Sequence, residues 1–345
     1  MLLNSAVLVG NGFDISTGMG TSAHEFVESF VQENTYSKNQ FAKDLAVQIS
    51  ADGIDTWADF ERMIGRHSEN FNLSSVGNYL GQKEALDDYL GDWLDNKSKS
   101  VSEDFVRANA NNCLSSLTRF RRGLPERQQD QIEQMIKNHP SESWVLDILC
   151  FDYTDAMLKM YQFLGGEGTK LGSFKPNRYS ILGKFVFAHG SLERHEIITG
   201  VDNPSQISSS ELAELDEVKK ALVKEEIEAS VYQRTRDVDA LTLIKKSNMI
   251  YVFGMSYGIT DQRWWRAIDE RMRSDEDCLL VLFSLEYSKS LSGSYSPVSR
   301  ARISDQVIAS FLASRGNADS NIEYRDRIIV ADSCLLLPVA SPLAH

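Results

Sequence analysis

The sequence is short of cysteine, of basic residues and of long apolar runs. Its four cysteines form no CxxC pair, which predicts reduced, mostly buried thiols in the cytoplasm and argues against a zinc site. No stretch approaches 18 consecutive apolar residues, so we expect no membrane span. With 36 basic and 49 acidic residues the net charge is −13, which disfavours duplex nucleic acid and anionic membranes as partners.

The sequence also lacks signals that would divide the chain into separate domains. We find no internal repeat, no low-complexity tract and no linker rich in Pro, Gly and Ser. The first residues, MLLNSAVLVG, lack a basic segment and lead directly into a strand pattern, so we expect no secretory signal. We therefore predict a single α/β domain over residues 1–345.

Short apolar runs indicate a buried, mostly parallel sheet. We predict strands over 3–9, 144–151, 184–190, 248–254, 278–285 and 326–332. Runs that are apolar on both faces suit a sheet covered on both sides, and the segments between several of them have helical periodicity. The prediction is a doubly wound sheet of the Rossmann-like kind.

Two longer segments have helical patterns and no strand pattern. We predict helical insertions at about 35–140 and at about 205–245, and a helix over 22–33 that begins with a capping box of Ser22 and Glu25.

The first loop, after the first predicted strand, reads GNGFD. Gly10 and Gly12 allow close approach to the main chain, and free N–H groups there would bind a phosphate together with Asn11, Phe13 and Asp14. The loop lacks the third glycine of the G-x-G-x-x-G fingerprint. The alternative is a tight turn in which Asp14 caps backbone N–H groups.

Three further polar clusters follow predicted strands. The second has Asp152 and Tyr153, the third has His189 and Gly190, and the fourth has Gly254 and Ser256. Asp152 and Asp155 would contact a ribose or a metal, or cap the next helix. His189 would be a general base, or a structural histidine. In a parallel sheet these clusters reach one edge, where ligands bind.

The order of these motifs resembles the bacteriophage abortive-infection AbiH family. The residues that carry the resemblance are GNGFD and GTS, then WADFE, FDYT, HGS with IITGVD, and FGMSYGITD, over nearly the whole chain. Membership implies a cytoplasmic bacterial defence protein that blocks phage propagation by harming or halting the infected cell.

A more distant resemblance is to the sirtuin-like fold, which several defence proteins use to bind or destroy NAD. It implies that His189 acts on the nicotinamide ribose, while Gly254 and Ser256 hold the adenosine side. Relatives read FNYT where this chain reads FDYT, so Asp152 replaces the expected Asn. A carboxylate cannot donate a hydrogen bond, but it could stabilise an oxocarbenium ion.

Three functions remain open at this stage. The first is an NAD glycohydrolase with His189 and Asp152 as catalytic residues, regulated through the two insertions by a protein partner or a second copy of the chain. The second is a nucleotide-binding sensor without turnover. The third, disfavoured by the negative charge, is a metal-dependent nuclease using Asp14, Asp152, Asp155 and Asp202. We expect NAD or a related nucleotide as ligand, and no metal.

Overall fold

A computed structural model describes residues 2–34, 54–140, 143–231, 235–293, 296–316 and 322–335, together with Lys43 and Val47. Within them a seven-stranded sheet has the order β3-β4-β2-β1-β7-β8-β9. The strands are β1 (Leu3–Val9), β2 (Ser143–Cys150), β3 (Lys170–Lys175), β4 (Arg178–Phe187), β7 (Met249–Phe253), β8 (Leu279–Ser284) and β9 (Ile328–Asp332). All neighbours pair in parallel except β3, which is antiparallel to β4. A separate hairpin consists of β5 (Gly190–Ser191) and β6 (Glu196–Ile197).

The helices lie between the strands along the chain. Between β1 and β2 lie α1 (Gly12–Thr17), α2 (Ala23–Asn34), α3 (Trp57–His67), α4 (Val76–Ser98), α5 (Glu103–Arg119) and α6 (Glu126–Asn138). Next comes α7 (Ala156–Phe163), followed after β6 by α8 (Ser210–Ala213), α9 (Asp216–Leu222), α10 (Lys224–Val231) and α11 (Thr235–Lys246). The last are α12 (Gln262–Ser274), α13 (Leu285–Gly293) and α14 (Pro297–Ser314).

The sheet is buried on both faces because alternate residues of its strands enter different cores. Val7 and Val9 of β1 join the core that contains residues of α5, α6 and α7. Ala6 and Leu8 join the opposite core, which contains residues of α11, α12 and α14. The result is a mixed α/β fold with helices on both sides of a mostly parallel sheet, as the continuous apolar runs predict.

A third core lies in the two helical segments that interrupt the strand pattern. It joins residues of α2, α3 and α4 to residues of α8 and α9, and includes Phe26, Phe60 and Leu212. The predicted capping box at the start of α2 is confirmed, since Glu25 N donates to Ser22 Oγ at 3.2 Å and Ser22 N donates to Glu25 Oε2 at 3.1 Å. Most of residues 35–53, which we assigned to the first insertion, lie outside the described residues.

The sequence patterns missed one edge of the sheet. We predicted a strand over 184–190, whereas β4 begins at Arg178 and pairs with the unpredicted β3. Strand β3 has one buried residue, Phe174, and its register with β4 shifts twice. An edge strand of this kind has no buried face to produce a strong apolar pattern.

The loops that follow β1 and β7 cross through two glycines. Gly12 N donates to Gly254 O at 2.8 Å, and Gly254 has a φ of 67°. A Cβ on Gly254 would lie 2.8 Å from the Cα of Gly12, and a Cβ on Gly12 would clash with the Cα of Gly254. Two backbones can approach this closely only where both residues lack a side chain.

We predict that Gly12→Ala lowers the free energy of unfolding by about 1–3 kcal/mol, because the methyl group must push two backbone segments apart. Urea unfolding measures the change. The matched control is Gly81→Ala in α4, where an added Cβ meets nothing within 4 Å. That substitution should stabilise the protein by about 1 kcal/mol through helix propensity. Equal effects at the two positions would contradict this account of the glycine crossing.

Candidate functional site

A cavity of about 60 Å³ lies beyond the carboxyl ends of β1, β2, β4 and β7. Its walls come from the loops after these strands and from α3, which covers it. The lining residues are Gly10, Asn11, Trp57, Ala58, Glu61, Phe151, Asp152, Tyr153, His189, Gly254, Met255, Ser256 and Asp261. Its volume corresponds to about four to six water molecules.

The structure brings most of the predicted site residues to this cavity, but not all of them. Seven line it: Gly10, Asn11, Asp152, Tyr153, His189, Gly254 and Ser256. Four others do not: Gly12, Phe13, Asp14 and Gly190. Phe13 lies in the core beneath the sheet edge. Gly190 has a φ of 82° and lies against the backbone of Glu196 in the β5–β6 hairpin.

The first loop uses most of its backbone donors within the protein. Gly10 N donates to Phe253 O at 2.9 Å, Gly12 N to Gly254 O at 2.8 Å, and Phe13 N to Gly10 O at 2.9 Å. These three N–H groups are therefore not free to bind a phosphate, contrary to the expectation from the sequence. The conformational freedom of Gly12 serves the crossing with Gly254.

Asn11 connects the first loop to the helix that covers the cavity. Its Nδ2 donates to Thr21 O at 2.7 Å, and its Oδ1 accepts from Thr21 Oγ1 at 2.7 Å. The same Thr21 carbonyl accepts a hydrogen bond from Trp57 Nε1 at 3.3 Å. The GNGFD, GTS and WADFE motifs are thus joined by one small network.

Asp152 lines the cavity, and Asp14 lies behind it as a second buried carboxyl group. Asp14 Oδ1 accepts a hydrogen bond from Thr154 Oγ1 at 2.9 Å, and the Asp14 side chain also hydrogen-bonds Asp152. Burial, followed by the charge of Asp152, raises the pKa of Asp14 well above its usual value. Burial raises the pKa of Asp152 to about 6, although hydrogen bonds from Asp14 and from backbone groups oppose the shift. The pair therefore shares one proton, which Asp14 carries.

His189 is a neutral, buried histidine. Burial, followed by the charge of Lys224, lowers its pKa to about 4. Its Nε2 lies 3.1 Å from Asp261 Oδ1, but the contact is not aligned as a hydrogen bond, so this buried nitrogen has no hydrogen-bond partner. At neutral pH the imidazole can accept or donate a hydrogen bond but is only a weak base.

The lysine that affects His189 belongs to a buried ion cluster. Lys224 Nζ contacts Glu61 at 2.8 Å, Asp261 Oδ1 at 2.9 Å and Thr260 O at 3.1 Å, and the lysine side chain is fully buried. Burial alone would lower the pKa of Lys224, but Asp261 and Glu61 raise it. Burial would likewise raise the pKa of Asp261, but Lys224 and His189 lower it. Burial raises the pKa of Glu61 to about 7 in spite of Lys224.

Sequence reasoning missed the charged part of this site. The stretch TWADFE predicts a capping pair of Thr56 and Asp59, which is confirmed by Asp59 N donating to Thr56 Oγ1 at 3.2 Å. The stretch GITD predicts Asp261 as an acid at a helix start, and no pattern points to Glu61 or Lys224. Glu61 and Lys224 are 163 residues apart, so no local pattern connects them.

Two other expectations concern metals and membranes. Among the described residues no group of three or more His, Cys, Asp or Glu side chains could hold a metal ion. Asp155 instead pairs with Lys159 at 3.1 Å, and Asp202 accepts a hydrogen bond from Arg263 N at 3.3 Å. No helix in the described ranges is long and apolar enough to cross a membrane.

The arrangement of motifs around the cavity is that of a known family. The profile of the bacteriophage abortive infection AbiH family matches residues 7–283, from β1 to the end of β8. The chain belongs to the AbiH family. Membership implies a role in abortive-infection defence against bacteriophage. None of the curated proteins matches the chain.

We predict that Asp14→Asn stabilises this AbiH protein at pH 8. The carboxyl pair holds a proton more tightly in the folded chain than in the unfolded chain, so stability falls as the pH rises above about 4, first through the pKa of Asp152 near 6 and then towards the higher pKa of Asp14. An amide keeps the donor to Asp152 and the acceptor for Thr154 at every pH. Thermal unfolding should show a gain of about 1–3 kcal/mol at pH 8 that shrinks at pH 5. The control Asp130→Asn, at an exposed position of α6, should leave the free energy of unfolding unchanged at pH 8 and at pH 5. A loss of stability at pH 8 would contradict the shared proton.

We predict that Lys224→Met lowers the free energy of unfolding by about 3–5 kcal/mol, because Glu61 and Asp261 become buried carboxylates without a cation. Urea unfolding tests this against Lys220→Met, which makes the same substitution at an exposed position of α9, four residues before Lys224. Similar effects of the two substitutions would show that the cluster contributes nothing beyond side-chain packing.

Proposed function

We propose that this AbiH protein binds a nucleotide of the NAD type at the cavity and cleaves its N-glycosidic bond. One observation carries the proposal. His189, which lines the cavity together with Asp152, has a buried Nε2 without an aligned hydrogen-bond partner. Buried polar groups are nearly always satisfied, so this atom indicates a missing partner such as a ligand. An acceptor beside an imidazole suits the hydroxyl groups of a ribose.

The strand order supports the same proposal. The six parallel strands have the order β4-β2-β1-β7-β8-β9, so the chain winds outwards from β1 in both directions. Counted along the chain, this is the order 3-2-1-4-5-6 of the dinucleotide-binding fold. In that fold the ligand binds beyond the strand ends where the order reverses, here between β1 and β7. The cavity lies at this point, which favours the Rossmann-like and sirtuin-like expectations.

Within this proposal the cavity residues have distinct roles. The pKa of Asp152, about 6, leaves it mostly ionised at pH 7.5, so it is the general base or stabilises the oxocarbenium-like transition state. Neutral His189 binds and orients the ribose or the attacking water. Activity would therefore rise as the pH passes about 6, and protonation of His189 would affect it only near pH 4.

The size of the cavity implies a regulated enzyme. A volume of about 60 Å³ is far below that of a typical ligand site, so α3 must move before a dinucleotide can enter. The contacts that hold α3 at its cavity end come from Thr21 and from Lys224, whereas Tyr79 Oη donates to Ile64 O further along the helix. A regulatory protein or a second copy of the chain that bound the helical segments would shift α3, and the enzyme would act in the cytoplasm only after infection.

The second candidate is a nucleotide sensor without turnover. The same small cavity favours it, as does Asp152, which stands where the resembling sequences have Asn. The two candidates respond differently to Asp152→Asn. In the enzyme, this change removes the base and should reduce turnover by about a hundredfold or more. In the sensor, ligand binding survives and turnover appears or increases.

The first experiment is calorimetry with NAD⁺, together with an assay for released nicotinamide. We expect binding and release by the wild-type protein, and loss of release in His189→Ala. The matched control is His24→Ala, which removes a half-exposed histidine of α2. Binding without release in the wild-type protein would favour the sensor. Absence of binding by NAD⁺ and other common nucleotides would overturn the proposal.

A further inference from the structure

Carboxylates form the charged part of the cavity wall. Glu61, Asp152 and Asp261 all line it, whereas none of its lining residues is lysine or arginine. Glu61 and Asp152 are each less than a tenth exposed, so bulk water screens their charges poorly. The wall is therefore unfavourable for a phosphate group.

The nearest buried cation offsets only part of this charge. Lys224 does not line the cavity, and its ammonium group is already bound by Glu61, Asp261 and the carbonyl of Thr260. Above pH 7 it balances one of the three lining carboxylates, and Arg263, the other cation that acts on His189, is paired with Asp237. His189 is neutral there and adds no positive charge.

Aromatic side chains form the rest of the wall. Trp57, Phe151 and Tyr153 line the cavity around His189, with 5.2 Å between the ring centroids of Phe151 and His189 and 6.2 Å between those of Tyr153 and His189. Aromatic faces attract cations and stack on flat rings. The unpartnered Nε2 of His189, a side chain only 4% exposed, provides an independent sign that a polar ligand belongs here.

We propose that the cavity selects a flat, positively charged ring, and that Glu61 and Asp152 determine this preference. At about 60 Å³ the cavity is smaller than the roughly 150 Å³ that holds one benzene ring, so such a ring enters only when α3 moves, and a whole dinucleotide cannot lie inside. This inference rests on the proposed function, because it assigns to the cavity the cationic pyridinium ring of oxidised nicotinamide. The phosphate groups remain outside the acidic wall, in agreement with the occupied N–H groups of the first loop.

The test compares ligands that differ in charge. At pH 8, calorimetry should show that 1-methylnicotinamide, a cation, binds at least tenfold more tightly than neutral nicotinamide. NAD⁺ should be preferred over NADH by a similar factor, and inorganic pyrophosphate should not compete with 1-methylnicotinamide for the cavity.

Variants test which carboxylates are responsible for the preference for a cationic ring. Glu61→Gln keeps an acceptor for Lys224 and removes one charge, so the preference for the cation should fall about tenfold. Glu69→Gln, the same substitution at an exposed position beyond α3, should leave the preference unchanged. If Glu61→Gln fails to fold, Asp152→Asn provides the second measurement and should weaken the preference similarly.

The outcomes separate this inference from the proposed function. Equal binding of NAD⁺ and NADH, with nicotinamide released from NAD⁺, would overturn the charge selectivity and leave the proposed function intact. Binding of 1-methylnicotinamide without binding of NAD⁺ would support the cationic cavity and overturn the proposed function. Tight binding of inorganic pyrophosphate that displaces 1-methylnicotinamide would overturn the exclusion of phosphate.

Discussion

The buried ammonium group of Lys224 is the interaction on which the candidate site depends. It binds Glu61 on α3 and Asp261 before α12, so this ammonium group on α10 links the two helical segments at the edge of the sheet. A fully buried lysine needs carboxylate partners, and carboxylates so placed need the lysine. The arrangement positions α3 over the cavity, and the charge of Lys224 adds to the burial that lowers the pKa of His189.

The carboxyl pair of Asp14 and Asp152 gives the opposite side of the cavity a different character. Two buried carboxyl groups in contact cannot both ionise at low cost, so Asp14 keeps the proton and Asp152 carries the charge. Asp14 does not touch the cavity, yet it determines what Asp152 can do there. One wall thus combines a carboxylate with a pKa near neutrality, a neutral imidazole and aromatic rings. Such a wall suits chemistry in which positive charge develops on a sugar.

Several features of the fold and site could be predicted from local patterns. Continuous apolar runs such as the one in β8 exist because a strand covered on both faces has no polar side, and β1, β2, β7, β8 and β9 lie close to where these runs predict them. The capping boxes at Ser22 and Thr56 were readable because a cap acts over three residues. Seven of the residues that line the cavity were predicted from the polar clusters that follow strands. Strand β3 escaped detection because an edge strand with one buried residue leaves no such pattern.

The sequence by itself determined five strands of the sheet, the edge at which the polar clusters gather, and the motif order that defines the family, because each depends on residues close together in the chain. Only the tertiary structure decided which role each residue has at that edge. It assigned Gly12 to a backbone crossing, placed Asp14 behind Asp152, and brought Glu61 and Lys224 together across 163 residues. Burial and the approach of distant charges set the protonation of His189, Asp152 and Glu61, and neither exists until the chain has folded.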